Sequence, residues 1–269
     1  MRARPLALVV VLLSAAPTAA QVPQPPLHSS STAPAAASSK VWEGRNVEFE
    51  EFLRTAEFRK FEDVPVGVTR PQRGFFDPGG IVASAAWKLL PPGRPHGYWE
   101  SYKSEIAAYE LDKLLGLGMV PPTVEKRVRG ERGAAILWLE GVQSWKAVES
   151  APKPPKWNRE AVRMKMFDNL IGNIDRNAGN LLVDAAWNLF LIDHSRAFVT
   201  ETRLRAEMVR IDKGIWDKML ALDEPALTAA LGKWLDRGAI RAILKRRDEM
   251  KKVVDKLLQN GTEALVYIK

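Results

Sequence analysis

The sequence of 269 residues contains no cysteine. A disulfide and a lipid-modified cysteine are both excluded, so an exported form of this chain must rely on its packed core for stability. Beyond the N-terminus no apolar run reaches the roughly 18 residues of a membrane-spanning helix. Hydrophobic residues still make up 46% of the chain, whereas 18 Pro, 18 Gly and 9 Trp argue against a simple helical bundle.

The first forty residues have the features of an export signal followed by a tether. Arg2 and Arg4 precede the apolar run 6–15, and small residues lead to an expected cleavage after Ala20. An uncleaved membrane anchor is the alternative, although the run is short for a span. Residues 21–40 are mostly Pro, Ala and Ser and are predicted to form a disordered tether. We therefore expect an exported protein, either periplasmic or secreted.

The formal net charge is +8, and it falls to +6 when residues 1–20 with their two Arg are removed. Nucleic-acid binding favours clustered basic residues with aromatic residues among them, and we expect no nucleic-acid partner. The densest basic cluster lies in a helical pattern and consists of Lys245, Arg246, Arg247, Lys251, Lys252 and Lys256. A solvated helix face explains this cluster more simply than a weak contact with an anionic surface.

The folded part begins near Val41 and is predicted to be an α+β protein with two lobes. Residues 41–145 combine strand-like runs, a hairpin and one long helix, and residues 146–269 are mainly helical. Helices are expected over residues 46–60, 101–118, 159–171, 204–222, 224–236 and 238–259, with Asn158 as the cap of the third. Because a cleft between two lobes commonly holds a ligand, we expect the site there.

The stretch FDNLIGNIDRNAGNLLVDAAWNLFLIDHSRAF, residues 167–198, places two acidic residues and an amide at defined intervals. Asn180 follows Asp175 by five residues, and Asp193 follows Asn180 by thirteen. The apolar runs between Asn180 and Asp193 predict a short hairpin, which would present both side chains at one end, as a shared metal site requires. Turns between strands also favour Asp and Asn, which is the structural alternative.

Phosphoryl transfer needs a held acceptor hydroxyl, oxygen ligands for divalent cations and a cation for the phosphates. Protein kinases place the base Asp five residues before a metal-binding Asn, and Asp175 and Asn180 have this spacing. A strand Lys and a helix Glu should precede them. Lys88 ends an apolar strand, and Glu105 lies early in the next helix, with Glu110 as the alternative partner.

The pattern N-x-D-R-x-x-x-N followed by L-I-D-H-S-R-A-F resembles the atypical branch of the protein-kinase-like superfamily. It is similar to type II phosphatidylinositol 4-kinases, to secretory-pathway kinases of proteins and glycans, and to HipA-type bacterial kinases. The helix SEIAAYELDKLLGLGMVPPTV also resembles the secretory-pathway kinases, and the match covers roughly residues 63–200. The resemblance implies ATP, Mg²⁺ or Mn²⁺, and an acceptor hydroxyl on a protein, glycan or lipid.

The resemblance also implies a role for each matching residue. Asp175 would be the base that positions the acceptor, and Asn180 and Asp193 would be metal ligands. Lys88 would contact the phosphates and Glu105 would hold Lys88. In some relatives the acidic residue of this helix faces the metal, which is an alternative role for Glu105.

This sequence departs from ordinary protein kinases at two places in the motif. Asn173 replaces the His of H-R-D in the predicted catalytic loop, residues 173–180. His194 and Ser195 replace Phe-Gly in the predicted metal loop, residues 193–196, so the Phe-driven switch of ordinary kinases is not implied.

The glycine-rich loop G-x-G-x-x-G, which covers the nucleotide phosphates in ordinary protein kinases, is absent from this sequence. Gly67, Thr69 and Arg70 are the nearest residues that offer an amide, a hydroxyl and a guanidinium to phosphates, and the start of a strand is the alternative. Trp138 and Leu139 lie where a hinge would hold an adenine ring, or else belong to the core.

Four other polar residues of the motif have simpler expectations. We expect Asp168 to be solvent-exposed, with an accessory acid as the alternative. His194 is expected to be a core histidine, with a ligand as the alternative. Arg176 is expected to pair with a nearby carboxylate or carbonyl. Arg196 is expected to do the same or to reach the substrate.

The sequence supports one function over two alternatives. The first is a nucleotide-dependent phosphotransferase that moves the ATP γ-phosphoryl group to a hydroxyl, and the export signal favours a protein or glycan acceptor. Transfer of nucleotidyl groups stays open, since a fold does not fix a function. The alternatives are a non-catalytic, pseudokinase-like binding protein and a module that binds anionic surfaces through the basic helix.

Overall fold

The computed structural model describes residues 39–64, 71–95 and 97–268, and all of them belong to one compact unit. An antiparallel sheet with two helices is followed by a mainly helical region, which is the predicted two-lobed α+β architecture. The predicted export signal and the tether up to residue 38 lie outside the described residues. Within the described ranges, no helix is both long and apolar enough to cross a membrane.

The first region is built on a five-stranded sheet. Its elements are α1 (Asn46–Thr55), β1 (Lys60–Asp63), β2 (Gln72–Phe75), β3 (Ser84–Lys88), α2 (Tyr102–Leu115), β4 (Thr123–Val128) and β5 (Glu131–Leu137). The strands lie in the order β1-β2-β3-β5-β4, and all neighbours are antiparallel. Helix α1 is shorter than the predicted 46–60, because the backbone of residues 60–63 pairs with β2 instead.

Helix α2 lies within the predicted range 101–118 and is capped at both ends. The hydroxyl of Ser101 accepts the N–H of Lys103, and Gly116 ends the helix with φ of +62°. The buried carboxylate of Asp112 accepts the N–H groups of the three residues 118–120, which fixes the turn before Pro121. These contacts hold α2 at both ends.

The second region begins with a three-stranded sheet and continues with helices. Its elements are β6 (Val142–Ser144), α3 (Trp145–Val148), α4 (Pro155–Ile171), β7 (Leu181–Asp184), β8 (Leu189–Leu191), β9 (Ile211–Asp212), α5 (Lys213–Leu220), α6 (Glu224–Leu231), α7 (Arg237–Asn260), α8 (Glu263–Val266) and β10 (Tyr267–Ile268). Strands β7 and β8 form the predicted hairpin, and β6 pairs with β7. The largest apolar cluster joins α2, α4, the hairpin and the helices that follow.

Two predicted helices begin at other residues in the structure. Helix α4 starts at Pro155 and not at residue 159, because proline suits the first turn of a helix. The predicted cap Asn158 therefore lies inside α4. Residues 204–212 are not helical. The side chain of Asn169 accepts the N–H groups of residues 205 and 206, and β9 pairs with β10.

The basic cluster of α7 is not one solvated face. Arg246 is fully buried, and its guanidinium donates to the carbonyl oxygens of Leu170, Val199 and Glu201. Burial lowers the pKa of Arg246 to about 10. On the exposed side, Lys251 and Lys252 pair with carboxylates of the same helix. Much of the basic cluster is therefore engaged within the protein.

Replacing Gly172, which ends α4, by Ala is expected to lower the free energy of unfolding by more than the matched change Gly130→Ala. Both glycines have positive φ, at +61° and +88°, which costs an alanine about 1–2 kcal/mol. A Cβ at Gly172 would also lie 2.8 Å from the Arg246 guanidinium, whereas a Cβ at Gly130 meets nothing within 4 Å. Urea unfolding measures both losses, and equal losses would contradict the expectation.

Candidate active site

Lys88, the last residue of β3, pairs with Glu105 in the first turn of α2. The Nζ atom lies 2.6 Å from Oε1 of Glu105, and both side chains are almost fully buried. Burial alone would lower the pKa of Lys88, but the charges of Glu105 and Asp193 outweigh it and raise that pKa above its usual range. Glu110, the alternative partner, pairs with Lys113 instead.

The same Lys88 reaches Asp193 of the metal loop. Its Nζ lies 2.6 Å from Oδ1 of Asp193, to which the Ser195 hydroxyl also donates at 3.1 Å. Among the contacts of the described residues, none reaches the other carboxylate oxygen of Asp193. Asp193 has φ of +59°, a left-handed conformation that Asp adopts more readily than most residues. One lysine thus joins β3, α2 and the loop after β8.

Glu105 holds the metal loop as well as the lysine. Its Oε2 accepts the N–H of His194 at 2.8 Å. Burial would raise the pKa of Glu105, but the charge of Lys88 and the contacts with His194 outweigh it and hold that pKa well below its usual range. His194 is buried, as predicted. Burial lowers its pKa, and its Nε2 lies 3.0 Å from the Arg176 guanidinium.

The catalytic loop begins directly after α4 and is shaped by side-chain amides. Asn173, in the position of the usual His, is buried, and its Oδ1 accepts the N–H of Asp175 at 3.1 Å. Asn180 ends a single 3-10 turn, and its Nδ2 donates to the carbonyl oxygen of Asp175 at 3.0 Å. The Asp175 side chain is 40% exposed, so its carboxylate lies at the open face of the loop.

Arg176 and Asp168 form a buried pair beneath this loop. The guanidinium donates to both carboxylate oxygens of Asp168, at 2.9 and 3.0 Å, and to the carbonyl oxygens of Asn180 and Ile192. The expectation that Asp168 is exposed is wrong, because the last turn of α4 faces the core and Arg176 balances the carboxylate there. The prediction that Arg176 pairs locally is confirmed.

Asn180 precedes β7 and Asp193 follows β8, so both lie at the open end of the β7–β8 hairpin. The N–H of Ile192 donates to the carbonyl oxygen of Asn180 at 3.2 Å, which places the next residue, Asp193, beside this end. A carboxylate and an amide oxygen suit Mg²⁺ or Mn²⁺. The part of the chain that the structure describes has no group of three or more acidic or histidine side chains that could hold a metal. The pair fits a metal whose other ligands are phosphates and water.

Arg196 contacts the candidate base Asp175. The sequence left open whether Arg196 pairs with a nearby group or reaches the substrate. Its Nη1 donates to Oδ2 of Asp175 at 3.1 Å, and its Nε donates to the fully buried Glu100 at 2.7 Å. Glu100 gave no signal in the sequence, because it lies in a loop before α2 and matches no motif.

The candidate nucleotide contacts are partly described. Gly67, Thr69 and Arg70 lie outside the described residues, in the connection between the paired strands β1 and β2. Trp138 follows β5, and the Arg73 guanidinium covers its ring at 4.4 Å from the centroid. Leu139 is buried in the apolar cluster of the first region. Trp138 and Leu139 both lie in the connection from β5 to β6.

A cavity of about 850 Å³ opens beside the catalytic loop. Ile174, the neighbour of Asp175, contributes to its wall, together with Tyr98 and Trp99 from the segment before α2. Phe198 and Trp234 add further aromatic surface from the second region. Its volume is within the range of ligand pockets, but Asp175 itself does not line it.

A strand lysine held by a helix glutamate, the loop over residues 173–180 and an aspartate after a hairpin lie within a two-lobed, protein-kinase-like fold. Solved structures share this fold. The chain matches the structure of hydra Fam20 with sugar at a TM-score of 0.66 and 17% identity, over 82% of this chain and 91% of that one. It matches the Golgi casein kinase with Mn/ADP bound at 0.63 and 14% identity, over 84% of this chain and 79% of that one.

A second structure of the Golgi casein kinase matches with a TM-score of 0.59 and 13% identity, over 82% of this chain and 77% of that one. No family model matches the sequence. No curated protein matches it. At these identities the likeness shows the fold, and the chemistry of the site has to be argued from its own residues.

Proposed function

We propose that this protein is an ATP-dependent kinase that uses Mg²⁺ or Mn²⁺ and transfers the γ-phosphoryl group to a hydroxyl. The observation that carries the proposal is the contact of Lys88 with both Glu105 and Asp193, which lie 17 and 105 residues further along the chain. Placing three buried or half-buried charges together is costly for a fold unless they pair well. A phosphate-binding lysine beside a metal-binding aspartate gives this arrangement a use.

Each of the proposed site residues has one task. Bound nucleotide and metal supply the phosphoryl group and neutralise the charge that develops on it. Lys88, fixed by Glu105, binds phosphate oxygens. Asp193 and Asn180 offer their open oxygens to the metal. Asp175 takes the proton of the acceptor hydroxyl while the new O–P bond forms and the bond to the leaving diphosphate breaks.

The acceptor is proposed to be a protein or a glycan outside the cytoplasm. The predicted export signal over residues 1–20 supports this location. The hydra Fam20 structure contains a sugar and the Golgi casein kinase structure contains Mn and ADP, which supports the same chemistry for the shared fold. Gly67, Thr69, Arg70, Trp138 and Leu139 complete the proposed nucleotide site.

Thermal unfolding with nucleotide and metal tests the proposal directly. A ligand present at one hundred times its dissociation constant adds about 2.7 kcal/mol, which raises the midpoint of a domain of this size by about 5–10 °C. ATP with Mg²⁺ or Mn²⁺ is expected to give this rise in the wild type, and Asp193→Asn is expected to abolish it. Asn is the sharper choice than Ala, because it tolerates the positive φ at this position.

The matched control is Asp217→Asn, an exposed carboxylate that pairs with Lys213 on α5. It removes the same charge from the surface, and its midpoint should rise with nucleotide as in the wild type. Binding without turnover would favour the non-catalytic, pseudokinase-like protein. A well-folded wild type that responds to no nucleotide would remove the kinase proposal and leave Lys88 and Asp193 as structural residues.

A further inference from the structure

Arg196 links the candidate base to the segment that precedes α2. Its Nη2 and Nε lie 2.6 and 2.7 Å from one oxygen of Glu100, and its Nη1 donates to Oδ2 of Asp175. Glu100 is fully buried, and the Tyr98 ring lies 5.2 Å from the guanidinium carbon. The arginine side chain is only 19% exposed, so these contacts fix its position.

This contact is the last of four that join the first region to consecutive residues of the metal loop. The pairs are Lys88 with Asp193, Glu105 with the N–H of His194, the N–H of Ser101 with the carbonyl oxygen of Ser195, and Glu100 with Arg196. The end of β3 contacts Asp193, and the start of α2 with the two residues before it contacts the other three residues of the loop. Of these four loop residues, Arg196 is the one whose side chain also contacts Asp175.

We propose that Arg196 is a positioning residue that orients Asp175 and couples it to the position of α2. With Oδ2 held by Arg196, no described residue donates to Oδ1, which is left for the proton of the acceptor hydroxyl. The inference rests on the proposed function of Asp175. It adds that Asp175 is correctly oriented only when the start of α2 is positioned so that Glu100 contacts Arg196. The same position of α2 brings Glu105 to Lys88.

The chemistry of the guanidinium explains why this residue is an arginine. Its planar fork reaches two carboxylates from different segments at once, whereas an ammonium is a single point charge. Arg196→Lys therefore keeps the charge and one contact but loses the bridge. Arg196→Gln loses the charge as well. The two variants should rank in this order in turnover.

The test measures turnover of [γ-³²P]ATP, both to inorganic phosphate and to the protein itself, in the full chain with Mg²⁺ or Mn²⁺. Arg196→Gln is expected to lower kcat by about 100-fold, the size of effect that misplacement of a reacting group produces. KM for ATP and the nucleotide-induced rise in the midpoint are expected to stay unchanged. Glu100→Gln is expected to lower kcat by about as much as Arg196→Gln. The kcat of Arg196→Lys is expected to lie between those of Arg196→Gln and the wild type.

The control is Arg241→Gln, which removes an exposed arginine that pairs with Glu224 and is expected to keep full turnover. A rescue experiment separates positioning from folding. Guanidinium ion, well below its unfolding concentration, is expected to restore turnover of Arg196→Ala by about tenfold, which a merely structural role would not give. An Arg196→Gln variant that keeps more than half of the wild-type kcat would overturn the inference while the kinase proposal stands.

If the wild type turns over no ATP, the proposed function fails. Hydrogen exchange still tests whether Arg196 positions Asp175 in that case. The amide of Asp175 donates to Oδ1 of Asn173, so its exchange reports the order of the catalytic loop. Arg196→Gln is expected to speed this exchange by about tenfold relative to Arg241→Gln. Equal exchange in the two variants would show that Arg196 does not position Asp175.

Discussion

Replacing Lys88 by Met is expected to lower the free energy of unfolding by about 3–5 kcal/mol, because the change leaves the carboxylate of Glu105 buried without its counter-charge. The Glu105 side chain is 2% exposed, so water cannot replace the lysine. Urea unfolding followed by far-UV circular dichroism and by tryptophan fluorescence measures the loss, with an unchanged slope as the sign that only stability has changed.

Two further variants show whether the uncompensated charge is the cause. Lys88→Met combined with Glu105→Gln removes both charges and keeps an acceptor for the N–H of His194, so it should recover most of the loss. Lys113→Met is the matched control, since this α2 lysine also contacts two carboxylates but is 28% exposed. It should cost about 1 kcal/mol or less. A double variant no more stable than Lys88→Met would disprove this cause.

Asp175→Asn is expected to lower kcat for turnover of ATP by about 10²–10⁴-fold, the usual contribution of a general base. The change keeps the shape of the side chain and an oxygen that accepts from Arg196, so stability and nucleotide binding should be retained. Because each tenfold loss corresponds to about 1.36 kcal/mol of activation free energy, the expected increase in the barrier is about 3–5 kcal/mol.

Asp255→Asn is the matched control for this substitution, because it makes the same change in an exposed carboxylate of α7 that pairs with Lys251. It should turn over ATP like the wild type. If Asp175→Asn also kept its turnover, the assignment of Asp175 as base would fail. The proposed nucleotide site at Lys88 and Asp193 would be unaffected by that result.

Sequence patterns predicted well those parts of the molecule that depend on neighbours along the chain. The capped helix α2, the β4–β5 hairpin and the β7–β8 hairpin each follow from local patterns and turn residues. The interval between Asn180 and Asp193 predicted one hairpin with both side chains at its end. Helix bounds were wrong at residues 56–60 and 204–212, among others, where strand pairing or a distant side chain binds the backbone.

The parts that sequence reasoning missed depend on tertiary contacts. Asp168 looked like a surface acid because nothing near it in the sequence shows that Arg176 folds beneath the loop to meet it. Glu100 carried no motif, and its partner Arg196 is 96 residues away. Such pairs have no periodicity, since their geometry is fixed only when two regions pack against each other.

The sequence by itself thus determined which residues are candidates for binding phosphate and metal, because residue type and short spacing are properties of the local chain. Only the tertiary structure decided how they are oriented. It placed Lys88 between Glu105 and Asp193, turned one oxygen of Asp175 towards Arg196 and buried Arg246 in the core. The physical reason is that the energy of a buried charge depends on partners brought together from distant segments.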